Sequence, residues 1–176
     1  MVTTAVTSSA SAGPDPDPAL TFLYRRINYE RAGVSDQTKR ELRLSRMRRL
    51  VQALGDPHDG PIVLHVTGTK GKGSTAAMLA AILRQAGWCV GLYTSPHLHH
   101  IEERIRMDGE PIDPGVFRAL VEEVRPVVER LDRELGASLT FFEVLTAIAF
   151  LHFARAGAEV WVVEVGMGGR LDSTNI

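Results

Sequence analysis

Residues 62–75 read Ile-Val-Leu-His-Val-Thr-Gly-Thr-Lys-Gly-Lys-Gly-Ser-Thr, an apolar run that breaks into a glycine-rich turn bearing two lysines and then opens a helical segment. This is the pattern of a phosphate-binding loop. Gly68, Gly71 and Gly73 let the backbone curl so that its N–H groups point inward at an anion, and a helix starting near Ser74 adds the positive end of its dipole. Thr69 and Lys70 complete the loop, Lys72 can reach terminal phosphates, and a hydroxyl at the helix start can ligate the magnesium that accompanies them. The strict pattern G-x-x-x-x-G-K-[ST] is not met. Val66 stands where the first Gly belongs, and Gly73 follows Gly71-Lys72 where Ser or Thr belongs, so the hydroxyl is displaced to Ser74. A glycine-rich strand-to-helix turn with solvated lysines is the plainer reading of the same residues.

Around this loop the chain alternates its elements. Residues 62–67 read as a first buried strand, 74–86 as a helix ending at Gly87, and 88–93 as a second strand. Strand, phosphate loop, helix and strand make a βαβ unit, which implies a parallel sheet. Upstream, residues 19–32 read as a short helix and turn. Residues 35–54 carry Leu42, Met47, Leu50, Val51 and Leu54 at helical spacing, with an arginine run as the solvated face. Downstream, Asp108-Gly109 is the strongest hairpin signal. Asp113-Pro114 looks like the cap and first position of a helix reaching about residue 135 and kinked near Pro126. Residues 141–156 form a helix apolar on most sides, and residues 158–165 a third core strand.

Composition narrows the partners. The chain has 176 residues, a formal charge of −1 and 23% charged residues, so no basic excess argues for nucleic acid or an anionic membrane surface. No apolar run approaches the ~20 residues that span a bilayer. A lone cysteine, Cys89, excludes a disulfide framework and a multi-cysteine zinc site, and reads as a small buried apolar residue. The start, rich in Ser, Thr, Ala, Asp and Pro, lacks the regions of a secretory signal. Residues 1–18 are expected to be a disordered tail, in a protein of a reducing, cytoplasmic compartment.

The last residues matter as much as the loop. Val160-Trp161-Val162-Val163-Glu164 is an apolar strand with a carboxylate at its C-terminal end, where an open parallel sheet places its ligands. Glu164 there can hold a hard cation beside the phosphates, or be structural. The glycine-rich segment 166–175 suits a loop closing over substrate, and Arg170 is either an anion ligand or a surface cation. Thr140-Phe141-Phe142-Glu143 has the form of a capping box, and Ser95-Pro96 that of a turn. His97, His99 and His100 raise a zinc-site reading; His65 and His152 read as satisfied structural histidines.

Taken in order, residues 66–74, Thr94-Ser95-Pro96-His97-Leu98, Phe142-Glu143 and residues 164–175 closely resemble the folylpolyglutamate synthase and dihydrofolate synthase family, relatives of the Mur ligases. The resemblance runs from about residue 20 to the end, and Gly73 before Ser74 is the form that family uses. It implies a three-layer α/β domain of the phosphate-loop type with a mostly parallel sheet, like the central ATPase domain of Mur ligases. It also implies an ATP-dependent ligase that phosphorylates a folate or dihydropteroate carboxylate and lets the amine of L-glutamate attack the acyl phosphate. By the same resemblance Gly68 to Ser74 bind ATP, with Lys72 neutralising the transferring phosphoryl group. Ser95, Glu164 and Ser74 hold Mg2+, and Thr140, Phe141, Phe142, Glu143, Leu171, Asp172 and Ser173 line the substrate site.

Members of that family carry further elements: another metal-binding histidine, a carbamylated lysine, the rest of the sheet and a C-terminal domain. Residues 19–176 are therefore expected to be a partial N-terminal ATP-binding domain with an exposed apolar sheet edge, monomeric in its full-length form and without ligase turnover as a fragment. A Mur-type ligase acting on a UDP-sugar peptide and a non-catalytic nucleotide-binding remnant are the competing readings.

Overall fold

The computed structural model describes residues 17–29 and 44–176. Strands β1 (Ile62–Val66), β2 (Val90–Tyr93), β3 (Ile105–Met107), β4 (Glu110–Pro111) and β5 (Val160–Glu164) form one sheet in the order β1-β5-β2-β3-β4. β1, β5 and β2 run parallel, whereas β3 joins β2 antiparallel and folds back on β4. The mostly parallel α/β sheet is thus present, with β5 inserted between the two strands of the expected βαβ unit. That insertion sets Val66, at the end of β1, opposite Glu164, at the end of β5. Loop and carboxylate therefore meet at the C-terminal end of the parallel strands.

Helices α1 (Pro18–Tyr24), α2 (Leu44–Ala53), α3 (Lys72–Gln85), α4 (Pro114–Leu135) and α5 (Phe141–Arg155), with a short 3-10 helix at Ile101–Arg104, complete the described elements. On one face, Ala76 and Ala80 of α3 pack with Val90, Leu92 and Val162. On the other, α1, α2, α4 and α5 bury a larger cluster that includes Tyr93, Trp161 and Val163. Successive side chains of a strand point to opposite faces, so Val162 serves one layer while Trp161 and Val163 serve the other. This is the expected three-layer arrangement. At Gly91 a Cβ would lie 2.7 Å from Phe153 Cγ, so α5 rests directly on the β2 backbone. Phe150 and Phe153 then reach Trp161 with ring centroids 5.2 and 5.5 Å apart.

Local chemistry explains the helix ends. The Asp113 side chain accepts from the N–H groups of Gly115 and Val116, and Pro114 supplies a pre-set φ at the first helical position. From there α4 buries Phe117, Leu120, Val121, Val124, Val128 and Leu131 at three- and four-residue spacing and continues through Pro126. Asp108 and Gly109 both have positive φ, 48° and 90°, the geometry of the two-residue turn that joins β3 to β4.

Several expectations need adjusting. Asp17 accepts from the Ala19 and Leu20 N–H groups and caps a helix that begins at Pro18, so residues 17 and 18 belong to ordered structure; the rest of the expected tail, residues 1–16, lies outside the described residues. The helix expected over 35–54 is described from Leu44, with 35–43 outside. α3 starts at Lys72 and takes Gly73 into its first turn. β1 is not a buried strand: it pairs with β5 alone among the described residues, and Ile62 and Val63 are 54% and 42% exposed. Arg46 does not belong to a solvated face, because its guanidinium pairs with the buried Glu143.

Candidate active site

The phosphate loop leaves β1 and turns at Gly71, whose φ of 74° lies in the left-handed region that glycine enters without steric cost. Gly71 is the N-cap of α3 and provides no side-chain cap, so the first N–H groups of this 14-residue helix are left open. Open N–H groups and the helix dipole together favour an anion. The stem of Lys72 folds back towards Gly68, its Cγ 3.7 Å from where a Gly68 Cβ would stand. Thr75 is committed elsewhere: its hydroxyl donates to the Gly71 carbonyl at 3.0 Å. Ser74 is exposed and free of that bond.

Glu164 ends β5 with 5% exposure. One carboxylate oxygen, Oε2, accepts the Ser95 N–H at 2.9 Å. On its other side lies Gly73, where a Cβ would come within 3.4 and 3.5 Å of the two oxygens. Gly73, Thr94, Ser95, Arg106 and Glu164 line a groove of ≈ 390 Å³ along α3 and β2. This geometry joins Ser95, Glu164 and the loop as expected, while Ser74 does not line the groove. Among the described residues no cluster of three or more His, Cys, Asp or Glu could cage a metal ion. The donors here are one carboxylate and hydroxyls, all hard oxygen ligands, and Glu164 Oε1 has no hydrogen-bond partner among the described residues. Such a sparse oxygen set fits magnesium, which keeps several waters and is bound through one or two carboxylates plus phosphate oxygens.

A second feature gathers part of the expected substrate set. Thr140, Phe142, Asp172 and Ser173 converge with Ile27, Tyr29 and Met167 around a narrow slot of ≈ 20 Å³. The segment 166–175 forms its wall and is held by Asp172, which is 4% exposed. Asp172 Oδ2 accepts the Met167 N–H at 2.7 Å, and Oδ1 accepts the N–H and the hydroxyl of Thr174 at 3.1 and 2.5 Å. The Thr174 hydroxyl also meets His65 Nε2 at 2.7 Å, so His65 is the satisfied histidine expected. Although the His65 side chain stays exposed, partial desolvation of its ring pushes the imidazole pKa below its ordinary value, against the charge of Asp172, which raises it.

The remaining candidates lie apart from these two places. Phe141 is fully buried and stacks on Tyr24 with centroids 5.8 Å apart. Glu143 completes the capping box, its Oε2 accepting the N–H and hydroxyl of Thr140 at 2.8 Å each, while Arg46 binds both oxygens at 3.2 Å. The carboxylate is therefore committed to Thr140 and Arg46 and does not itself line the slot. Leu171 is 41% exposed and outside it, and Arg170 is exposed. His97 Nδ1 accepts from the buried Arg104 at 2.8 Å, which removes it from a zinc set. Cys89 is half-buried rather than buried, its thiol donating to Asp108 at 3.6 Å; burial first, then the Asp108 charge, raise its pKa. Ile27, Tyr29 and Met167 line the slot without belonging to the expected set. Only Met167, inside the glycine-rich run, had a sequence signal.

A phosphate loop at the end of a parallel strand, faced by the terminal carboxylate of the neighbouring strand, defines a nucleotide-binding α/β domain of the phosphate-loop class. No family model matches the chain. It is 52% identical over 130 residues to a probable bifunctional folylpolyglutamate synthase/dihydropteroate synthase of Haloferax volcanii, covering 73% of this chain and 15% of that protein. It is 42% identical over 176 residues to a dihydrofolate synthase/folylpolyglutamate synthase of Mycobacterium tuberculosis, covering 96% of this chain and 36% of the relative. Among solved structures, M. tuberculosis folylpolyglutamate synthase complexed with ADP superposes with a TM-score of 0.78 at 38% identity, over 89% of this chain and 33% of that one. A folylpolyglutamate synthase complex with AMPPCP and folate gives 0.78 at 36%, over 90% and 37%. The chain belongs to the folylpolyglutamate/dihydrofolate synthase family and matches the N-terminal part of its members. It spans about a third of the length of the M. tuberculosis relative and far less of the H. volcanii protein.

Proposed function

We propose that this chain is the ATP-binding, carboxylate-activating portion of a ligase that adds L-glutamate to a folate or dihydropteroate. The observation that carries the reading is the buried Glu164 carboxylate, set between Ser95 and the uncapped start of α3. The open N–H groups of α3 bind the phosphates of ATP, and Lys72 neutralises the γ-phosphoryl group. Glu164 and Ser95, which line the groove, are the residues that would hold Mg2+, and Ser74, exposed at the start of α3, would join them by turning its side chain inward. When bound, the ion offsets negative charge on the β- and γ-phosphates.

In the proposed reaction a substrate carboxylate oxygen attacks the γ-phosphorus, forming an O–P bond as the bridging bond to ADP breaks. The glutamate amine then attacks the acyl carbon, phosphate leaves with the C–O electron pair, and the amine loses its proton to water or to the departing phosphate. An ionised carboxylate is a poor acylating group, so the phosphorylation supplies the leaving group. Positioning and charge neutralisation by these residues carry the catalysis. The substrate side is assigned to the slot of Thr140, Phe142, Asp172 and Ser173, in line with the folate complex of a structural neighbour. At ≈ 20 Å³ the slot must widen to admit a ring.

Grafting this chain in place of the matching third of the M. tuberculosis relative tests the assignment. The chimera is expected to ligate glutamate with ATP and either dihydropteroate or tetrahydrofolate, and Lys72→Ala to abolish it. The isolated chain is expected to bind MgAMPPCP without turnover. A folded chain that binds no nucleotide sinks the nucleotide reading, and ligation by the purified chain sinks its partial character.

A further inference from the structure

We propose that His65 is a positioning residue that fixes the direction of a hydrogen-bond chain, His65 to Thr174 to Asp172, and thereby leaves Asp172 as an acceptor facing the slot. The Thr174 hydroxyl has one proton and two partners, Asp172 Oδ1 at 2.5 Å and His65 Nε2 at 2.7 Å. Asp172 accepts backbone N–H groups on both oxygens, from Met167 on Oδ2 and Thr174 on Oδ1. It therefore acts as an acceptor throughout, and the Thr174 proton goes to it. Thr174 must then receive a proton from its other partner. His65 carries its hydrogen on Nε2, and the imidazole donates whether or not Nδ1 is protonated.

The direction has a structural consequence. With His65 donating, Thr174 is spent as a donor on Asp172, and Oδ1 is filled by two Thr174 bonds. Oδ2 holds one bond, to Met167, and keeps a lone pair. Asp172 lines the slot, so that lone pair is the acceptor its side chain has left to offer a ligand N–H donor there. His65 sits on β1 opposite Val163, one residue before Val66, so the strand that enters the phosphate loop also anchors the wall of the slot. The role of Asp172 towards ligand rests on the substrate reading above. The direction of the chain does not.

The test uses the 15N-labelled chain without ligand. The imidazole nitrogen spectrum of His65 is expected to show Nε2 protonated and Nδ1 bare at neutral pH. Amide hydrogen exchange at Met167 and Thr174 is expected to quicken on the order of fivefold in His65→Leu, as for loss of one net hydrogen bond, and to return to wild type in His65→Gln, which restores an N–H donor. Exchange at Val163 should stay unchanged in both. An Nδ1-protonated tautomer, or equal exchange in the Leu and Gln variants, overturns the proposal. Should His65→Leu not fold, Thr174→Val serves instead: release of the Met167 amide supports the chain, and unchanged protection overturns it. A pteroate titration then addresses the slot separately, so failure of the substrate reading leaves these readouts standing.

Discussion

Replacing Gly73 by Ala separates what the site does from what the fold needs. Gly73 lies in the first turn of α3, where a Cβ would stand 3.4 and 3.5 Å from the two Glu164 oxygens, an ordinary van der Waals contact. The fold can take this methyl without moving. A glycine inside a helix costs roughly 0.5–1 kcal/mol relative to alanine, so Gly73→Ala is expected to raise stability by about 0.5 kcal/mol at this terminal position. Ligand binding should move the other way. The methyl covers the carboxylate face beside the loop, where the proposed Mg2+ would be held. About tenfold weaker MgAMPPCP binding is expected, or ~1.4 kcal/mol. Urea unfolding and calorimetric titration of the same preparation give both numbers. Gly91→Ala is the steric control: a Cβ 2.7 Å from Phe153 Cγ overpacks the core and should cost about 2 kcal/mol. Unchanged nucleotide affinity in a stabilised Gly73→Ala would refute the placement of metal and phosphate between α3 and Glu164.

Glu164→Gln retains an acceptor for the Ser95 N–H but loses the charge, so binding of nucleotide should lose its magnesium dependence while stability holds within ~1 kcal/mol; titrations with and without magnesium check this. Arg46→Ala removes a bidentate partner from Glu143, whose side chain is 4% exposed, and leaves the carboxylate with Thr140 alone. The expected cost is about 2–4 kcal/mol by urea unfolding, and a change below 0.5 kcal/mol refutes the pairing. Glu103 accepts the N–H groups of Leu98, His99 and His100, the first having the largest effect, and its pKa falls from 4.5 to about 2. A lowered folded value means that its contribution is complete above the unfolded value and is lost as pH falls from about 4.5 towards 2. Glu103→Gln should flatten the stability profile in that window, and an unchanged slope counts against the three-donor cradle.

What the sequence revealed was what neighbouring residues settle among themselves. The Asp113-Pro114 start of α4, the Asp108-Gly109 turn and the Thr140–Glu143 box are each decided within a few residues. The loop was legible for the same reason, since its glycines answer to backbone geometry. Contacts across long separations were not. Arg46 and Glu143 are 97 residues apart, and His65 and Thr174 are 109 apart, so neither pairing leaves a local pattern. The arginine run looked like a solvated face because helical spacing shows which residues turn outward but not which helix waits there. β1 looked buried because it is apolar, yet apolar content does not reveal whether a strand has one neighbour or two.

The irregular loop pattern follows from the same non-local geometry. In the strict form a hydroxyl residue would stand at position 73, directly after the lysine. Here β5 inserts beside β1 and brings Glu164 opposite Val66, so a buried carboxylate already occupies the space beside that position. A serine at 73 would put its Cβ in contact with both oxygens and add a hydroxyl beside the volume proposed for the cation. Glycine leaves that volume open, and the hydroxyls proposed as ligands are those of Ser95, in the groove, and Ser74, one residue beyond Gly73. The departure at Gly73 and the acid at Glu164 are thus two halves of one arrangement, and Gly73→Ser is expected to weaken magnesium-dependent nucleotide binding although it restores the commoner motif. Tighter binding by Gly73→Ser than by the wild type, in the same calorimetric titration, would separate the two halves.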